Sequence, residues 1–226
     1  MKKLPTLLLM LVILIINVSA FAQDKSSDAY KFFVEDPMKR NAITIKSEAP
    51  LEDIVGMSNE ITGYVNFNPN EPLKGGFAEL SVPVVSINTG IPLRDEHIQS
   101  SSWLNAEGHP NIQLKLNTVK EANLVKETDD ARTFKLTVAG EFSLNGVTQK
   151  VEIPAQVTYL KANEMTKNRL PGSLLAIRAN FSINLSDYNV TGPDGMKIIG
   201  AKVANQIDIS VNIMGSTELP SMAKKK

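Results

Sequence analysis

Along most of this chain of 226 residues apolar and polar positions alternate with a period of two, the mark of strands that bury one face. Tyr30 to Val34 and Ala42 to Ser47 read as short opening strands, the second with Ile43 and Ile45 on one face and Thr44 and Lys46 on the other. Ile61 to Phe67 returns with Ile61, Gly63, Val65 and Phe67 together, and Gly75 to Ile87 places Ala78, Leu80, Val82 and Val84 on one side. Pro83 cannot donate a ladder hydrogen bond, which implies an edge or a bulge there. Ile112, Leu114 and Leu116 then alternate with Gln113, Lys115 and Asn117, Leu175 to Leu185 forms a regular strand, and Ile207, Ile209, Val211 and Ile213 form the last. Two stretches break the pattern. Between Glu48 and Glu60 the spacing of Leu51, Ile54 and Val55 predicts one helical turn. From Ser86 to Pro110 apolar residues recur at helical intervals, Leu93, His97 and Ile98, followed by Trp103 and Leu104.

The longest regular run, Arg132 to Leu160, is divided by Asn145-Gly146, a dipeptide that accepts the positive φ angles of a type I′ hairpin turn. Pairing Leu144 with Val147 places Gly140 opposite Val151, Val138 opposite Ile153 and Leu136 opposite Ala155. A slip of one residue would turn every large apolar side chain of the run into water, so this register is strongly specified. Lys161 to Pro171 is a polar loop longer than a hairpin needs.

One apolar face per strand, with turn signals between the runs, leaves a sandwich and a closed barrel both open. The motifs decide between them. Ser86, Ile87, Thr89 and Gly90 spell S-I-x-T-G, Arg94, Asp95 and His97 spell R-D-x-H, and an aromatic-containing turn ends at Pro110. The segment GEFSLNGVTQKVEIP carries a glycine-x-hydrophobic hairpin followed by G-V-T and V-x-x-P, and Ser186-Asp187-Tyr188 gives S-D-[FY]. From about Tyr30 to Met214 the chain resembles the YceI-like lipid- and polyisoprenoid-binding family, departing from it at Asn145, where the family often has His. The resemblance implies an all-β fold: a lipocalin-like antiparallel up-and-down barrel of about eight strands, with Ser86 to Pro110 as a short helical lid plugging its mouth. In such a barrel the connections alternate between ends, so Glu48–Glu60, Asn88–Pro110, Asn145–Gly146 and Ser186–Ala204 share one end.

A barrel of this size is either filled by its side chains or keeps room for one small ligand. Inward positions include Gly63, Ala78, Gly140, Ala155 and Ala179 among larger residues, and no ionisable residue has inward parity on the central strands. With the family's habit of holding a lipid, Ile45, Val65, Leu80, Leu114, Leu136, Val138, Phe181 and Ile209 are expected to line one elongated apolar cavity, with Trp103 and Leu104 at its mouth. The expected occupant is a polyisoprenoid or another long-chain amphiphile, and no resident cofactor is expected.

Composition narrows the function further. Without cysteine the chain has no disulfide, thiolate metal site or cysteine nucleophile. Lys2 and Lys3, the apolar stretch Leu7 to Ile16 and the small-residue pattern Ala20-Phe21-Ala22 read as a signal peptide over 1–22. Its removal takes two of 24 basic residues that balance 24 acidic ones, leaving no basic field for nucleic acid. The expected arrangement is signal peptide 1–22, disordered segment 23–29, barrel 30–214 and polar tail 215–226, in a protein that is periplasmic or secreted and no longer spans a membrane. Oligomeric state stays open, a homodimer included.

His97 and His109 are the only imidazoles. His97 beside Asp95 and Arg94 could orient an acid–base group, but no G-x-S-x-G nucleophile accompanies it and no His–carboxylate spacing suits a metal. The triplet is therefore read as lid architecture: Asp95 accepts free N–H groups at the helix start and opposes Arg94, while His97 fixes the turn, at a cost of about 1–2 kcal/mol if replaced by Ala. His109 reads as an exposed turn residue. The carrier stands against one alternative, an exported enzyme acting on an isoprenoid or lipid-like substrate.

Overall fold

The computed structural model describes residues 29–74 and 76–219; the signal-peptide reading, most of the disordered segment and the end of the polar tail lie outside them. Ten antiparallel strands follow in chain order: β1 Tyr30–Phe33, β2 Ala42–Glu48, β3 Asp53–Ser58, β4 Thr62–Phe67, β5 Phe77–Pro83, β6 Asn111–Glu127, β7 Ala131–Leu144, β8 Val147–Leu160, β9 Leu174–Asn184 and β10 Gln206–Ser216. They build eight staves. The ladder β1-β4-β5-β6-β7-β8-β9-β10 closes where Phe33 of β1 meets Ser216 of β10. Further along β10, Ala42 to Lys46 of β2 pair with Asn212 to Asp208, and β3 pairs with β2 beyond the end of β4. Thus β1 and β2 are two parts of one stave, as are β3 and β4, and the closed up-and-down barrel has eight strands.

Where the first stave is interrupted, buried Asn41 does the work of the missing ladder. Its Nδ2 donates to the carbonyls of Val34 at 2.6 Å and Met214 at 3.1 Å, and its Oδ1 accepts from the Met214 N–H at 2.8 Å. The side-chain amide thereby satisfies backbone groups that a barrel interior could not leave unpaired.

The register of the long hairpin is as the alternation specifies: Leu144↔Val147, Gly140↔Val151, Val138↔Ile153 and Leu136↔Ala155. Asn145 and Gly146 take φ of 49° and 74°. Pro83 closes β5 opposite Asn111, followed by a short 3-10 turn over Val84–Ser86. Three expectations need correction. Ile54 and Val55 lie in strand β3, which Leu51 precedes, and not in a helical turn; Gly56 and Ser58 are buried while Val55 and Met57 face out, so hydrophobicity does not report which face is inside. Strand β6 runs on to Glu127, past the alternation at 112–117, because register shifts at Leu116/Thr118, Val119/Glu121 and Leu124/Lys126 break the period of two. The last strand continues through Gly215 and Ser216 into what reads as tail. The polar loop after β8 also contains one helical turn, α2 Glu164–Lys167, capped by Asn163, which accepts from the Thr166 N–H.

Apolar packing closes one end of the barrel. Phe32, Phe67, Phe134 and Leu175 are buried there, with the rings of Phe67 and Phe134 edge-to-face at 5.7 Å. The other end carries the lid helix α1 Pro92–Gln99 and the connections between β2 and β3, β7 and β8, and β9 and β10. They touch one another: Leu51 N–H donates to the Ala201 carbonyl at 3.0 Å, and Asn145 Nδ2 donates to the Tyr188 carbonyl at 3.2 Å.

Candidate functional site

The eight inward residues named from parity all line one internal chamber of about 150 Å³: Ile45, Val65, Leu80 and Leu114 on one side of the hairpin, Leu136 and Val138 within it, and Phe181 and Ile209 beyond. Val65, Leu114 and Phe181 keep accessible surface although they point inward, because the surface they keep faces this space. Among the described residues no ionisable side chain belongs to its wall; Ser58, Asn66 and Gln113 are the polar contributors.

Above it, under the lid, lies a second and larger chamber of about 620 Å³. Trp103 and Leu104 form part of its wall with Leu93, Ile98 and Met196, and its polar groups, Ser47, Glu52, Arg94, His97, Ser100, Ser102 and Lys202, belong to the mouth end. The interior is thus two adjoining chambers where parity suggested one elongated cavity, and they share five wall residues: Ile45, Ile87, Ile112, Phe142 and Ile209. Ile87, Ile112 and Phe142 were not among the wall residues expected from the sequence. Phe142 and Ile112 do lie on inward faces of strands, but Ile87 follows the 3-10 turn, where strand parity has ended.

The lid roofs this space without plugging it. No residue of α1 is buried, and Leu93 is 60% exposed. Pro92 opens the helix, its ring supplying the helical φ and its missing N–H costing nothing at that position. The R-D-x-H triplet does not form one cluster. Asp95 does not cap the helix: its Oδ1 accepts from the Thr89 N–H at 2.8 Å and from the Thr89 hydroxyl at 2.7 Å, tying the S-I-x-T-G approach to the helix. A capping role needs a side chain before the first turn, and Asp95 lies three residues inside it, after Ile91 as N-cap. Arg94 turns away from Asp95 and pairs with Glu52 in the β2–β3 connection, bracing the lid against a neighbouring stave. His97 acts through its backbone, whose carbonyl accepts from the Ser100 N–H at 3.0 Å and hydroxyl at 2.7 Å; among the described residues its exposed ring has no hydrogen-bond partner.

His109 is half-buried over the β7–β8 turn, not an exposed turn residue. A Cβ on Gly146 would stand 2.5 Å from its Cε1, so that glycine is required both by its positive φ and by the ring above it. Trp103 lies against the β9–β10 connection, where a Cβ on Gly192 would meet its ring at 3.4 Å. Tyr188, behind Phe142, is pushed up in pKa by burial, with the charge of Asp187 adding to the effect. Among the described residues no group of three or more His, Cys, Asp or Glu is placed to hold a metal.

A closed antiparallel barrel with an apolar interior, sealed by aromatic packing at one end and roofed by a short helix at the other, defines a lipocalin-like protein. The chain belongs to the YceI-like family, whose domain model matches residues 33–214. It is 25% identical over 167 residues to a UPF0312 protein of Photorhabdus laumondii, covering 73% of this chain and 74% of that one. Among solved structures it is similar to BcnA of Burkholderia cenocepacia, with a TM-score of 0.59 at 16% identity, over 79% of this chain and 98% of the other. It is also similar to a polyisoprenoid binding domain from Saccharophagus degradans implicated in plant cell wall breakdown, with a TM-score of 0.58 at 11% identity, over 83% of this chain and 98% of that one. At these identities the two structures speak for the shared fold.

Proposed function

We propose that this protein is an exported carrier that holds a polyisoprenoid or another long-chain amphiphilic lipid inside the barrel, apolar chain inward and polar end at the mouth. The observation that carries the reading is the division of the interior: an inner chamber without ionisable groups, continued outward by a wider chamber whose polar side chains sit at the rim. An apolar chain gains roughly 0.8 kcal/mol for each methylene it removes from water, whereas a charged or strongly polar group gains nothing from such walls. Orientation follows from that difference. Membership of the YceI-like family and the Saccharophagus degradans domain described as polyisoprenoid binding support the same cargo class.

Cargo holding rather than turnover is supported by how the lid uses its polar residues. Arg94 is engaged by Glu52 and Asp95 by Thr89, and among the described residues neither bonds the His97 ring to orient it as an acid–base group. Export is supported by the basic start, apolar stretch and small-residue pattern at 1–22. Among the described residues no helix is long and apolar enough to cross a membrane. The expected result of organic extraction of the purified protein, followed by mass spectrometry, is an apolar amphiphile at about one per chain. Protein that is refolded lipid-free, retains no isoprenoid or fatty acyl probe and instead releases one as a chemically altered product with turnover would overturn the carrier in favour of the enzyme.

A further inference from the structure

We infer that the interior, divided at a waist of the five shared wall residues and closed below it, sets an upper limit on the length of chain this carrier accepts, an inference that rests on the carrier reading. Ile45 comes from β2, Ile112 from β6, Phe142 from β7 and Ile209 from β10, and Ile87 from the link that leads into the lid. They stand on four of the eight staves and on the link after β5, where the two chambers adjoin. The waist is braced. Phe142 is held edge-to-face by Phe181 below, with centroids 6.0 Å apart, and by Tyr188 above, at 5.7 Å. Ile45 packs onto Gly56, where an added Cβ would meet its Cγ1 at 3.1 Å and the Thr89 methyl at 3.2 Å. Thr89 is in turn fixed by Asp95. The lid motif thereby holds the segment that carries Ile87, and the waist is a built feature of the mouth.

Below the waist there is little room. A cavity of about 150 Å³ lined by aliphatic and aromatic side chains takes one benzene-sized guest of about six carbons, and the inner chamber has this volume. It accepts roughly one isoprene unit. On the same scale the outer chamber of about 620 Å³ takes on the order of five units. Beyond the inner chamber the path ends at the packed cluster of Phe32, Phe67, Phe134 and Leu175. A longer chain seated head-outward must leave its excess in water at the mouth, and the excess adds no affinity.

The test is a length series of prenyl alcohols, farnesol, geranylgeraniol and longer homologues up to solanesol, titrated into delipidated full-length protein. Trp103, the only tryptophan of the chain, lies on the wall of the outer chamber and reports filling by its emission; native mass spectrometry gives the stoichiometry. Each added unit should tighten binding by at least about tenfold until roughly six units are held, and longer chains should add less than about twofold. Leu136→Trp, which fills the inner chamber, should lower the limit by about one unit, and Phe142→Ala, which removes the ring dividing the chambers, should raise it by about one. Affinity that keeps rising to solanesol, or a limit that neither variant moves, overturns the waist while leaving the carrier intact. If no homologue binds to wild-type protein, the carrier reading falls and the waist with it. The wild-type profile and Leu136→Trp decide the matter even if Phe142→Ala fails to fold.

Discussion

Replacing Leu136 by Trp distinguishes a barrel that keeps an internal space from one whose core is packed. Leu136 is 5% exposed, lies at the centre of β7 opposite Ala155 of β8 and Ala122 of β6, and borders the inner chamber. Trp carries six more side-chain heavy atoms than Leu, as many as benzene, the guest that a space of about 150 Å³ accepts. Filling it recovers at most about 3.6 kcal/mol, at roughly 24 cal/mol for each Å³ of cavity. Forcing the larger side chain past its neighbours costs about 1–3 kcal/mol. The two nearly cancel, so lipid-free Leu136→Trp should unfold in urea within about 2 kcal/mol of wild type, on the stabilised side if the indole finds an unstrained rotamer. Its response to ligand should differ more. A ligand present at a hundredfold its Kd stabilises the wild type by about 2.7 kcal/mol, and most of that increment should disappear for chains long enough to need the inner chamber. Denaturation curves with and without a long prenyl alcohol give both quantities. A variant destabilised by more than about 3 kcal/mol without ligand would mean that this part of the core is packed, and a variant that keeps the full ligand increment would mean that chains never reach it.

Asp95→Ala should destabilise the protein by about 1.5–3 kcal/mol in chemical denaturation, since it removes a carboxylate bonded to the Thr89 N–H and hydroxyl and leaves the approach to the lid unanchored. His97→Ala should instead stay within about 0.5 kcal/mol of wild type, below the 1–2 kcal/mol suggested by the motif alone, because its ring is exposed and only its carbonyl holds the turn. Asp208 is held below the usual carboxylate range chiefly by the Ser182 hydroxyl at 2.6 Å and then by the Gln206 amide at 3.1 Å. Its contribution to stability is present above the unfolded-state pKa and lost as pH falls through the lower folded value; Ser182→Ala should move the NMR titration midpoint of Asp208 upward, and an unmoved midpoint would show that the hydroxyl is not the cause.

The fold was legible wherever one face of a strand is large and apolar and the other polar. Val138 and Ile153 pair across β7 and β8 as their alternation requires, and the turn residues Asn145 and Gly146 have the positive φ that these two residue types tolerate. It was not legible at β3, where Gly56 and Ser58 face inward to make room for Ile45 and to bond Ser86 at 2.7 Å, while Val55 and Met57 face out. Nor was it at the far half of β6, where bulges spend residues without advancing the register. The walls of the inner chamber could be named from parity because parity is a local property of a strand. The waist could not: Ile87 lies outside any strand, and Ile112 and Phe142 differ from other inward residues only in how far along the barrel they sit.

By itself the sequence determined the faces of the regularly alternating strands, the hairpin register, the apolar character of the interior and, through its motifs, the family. These follow from short-range chemistry: side-chain polarity with a period of two, and turn residues whose φ preferences are their own. Only the tertiary structure decided how the R-D-x-H side chains are used and how the interior is divided. Asp95 reaches Thr89 and Arg94 reaches Glu52 because closing the barrel brings the lid beside the β2–β3 connection, 42 residues away in the chain. The two chamber volumes, likewise, are what remains after inward side chains from all round the barrel have met, a difference between enclosed space and side-chain volume that no single strand encodes.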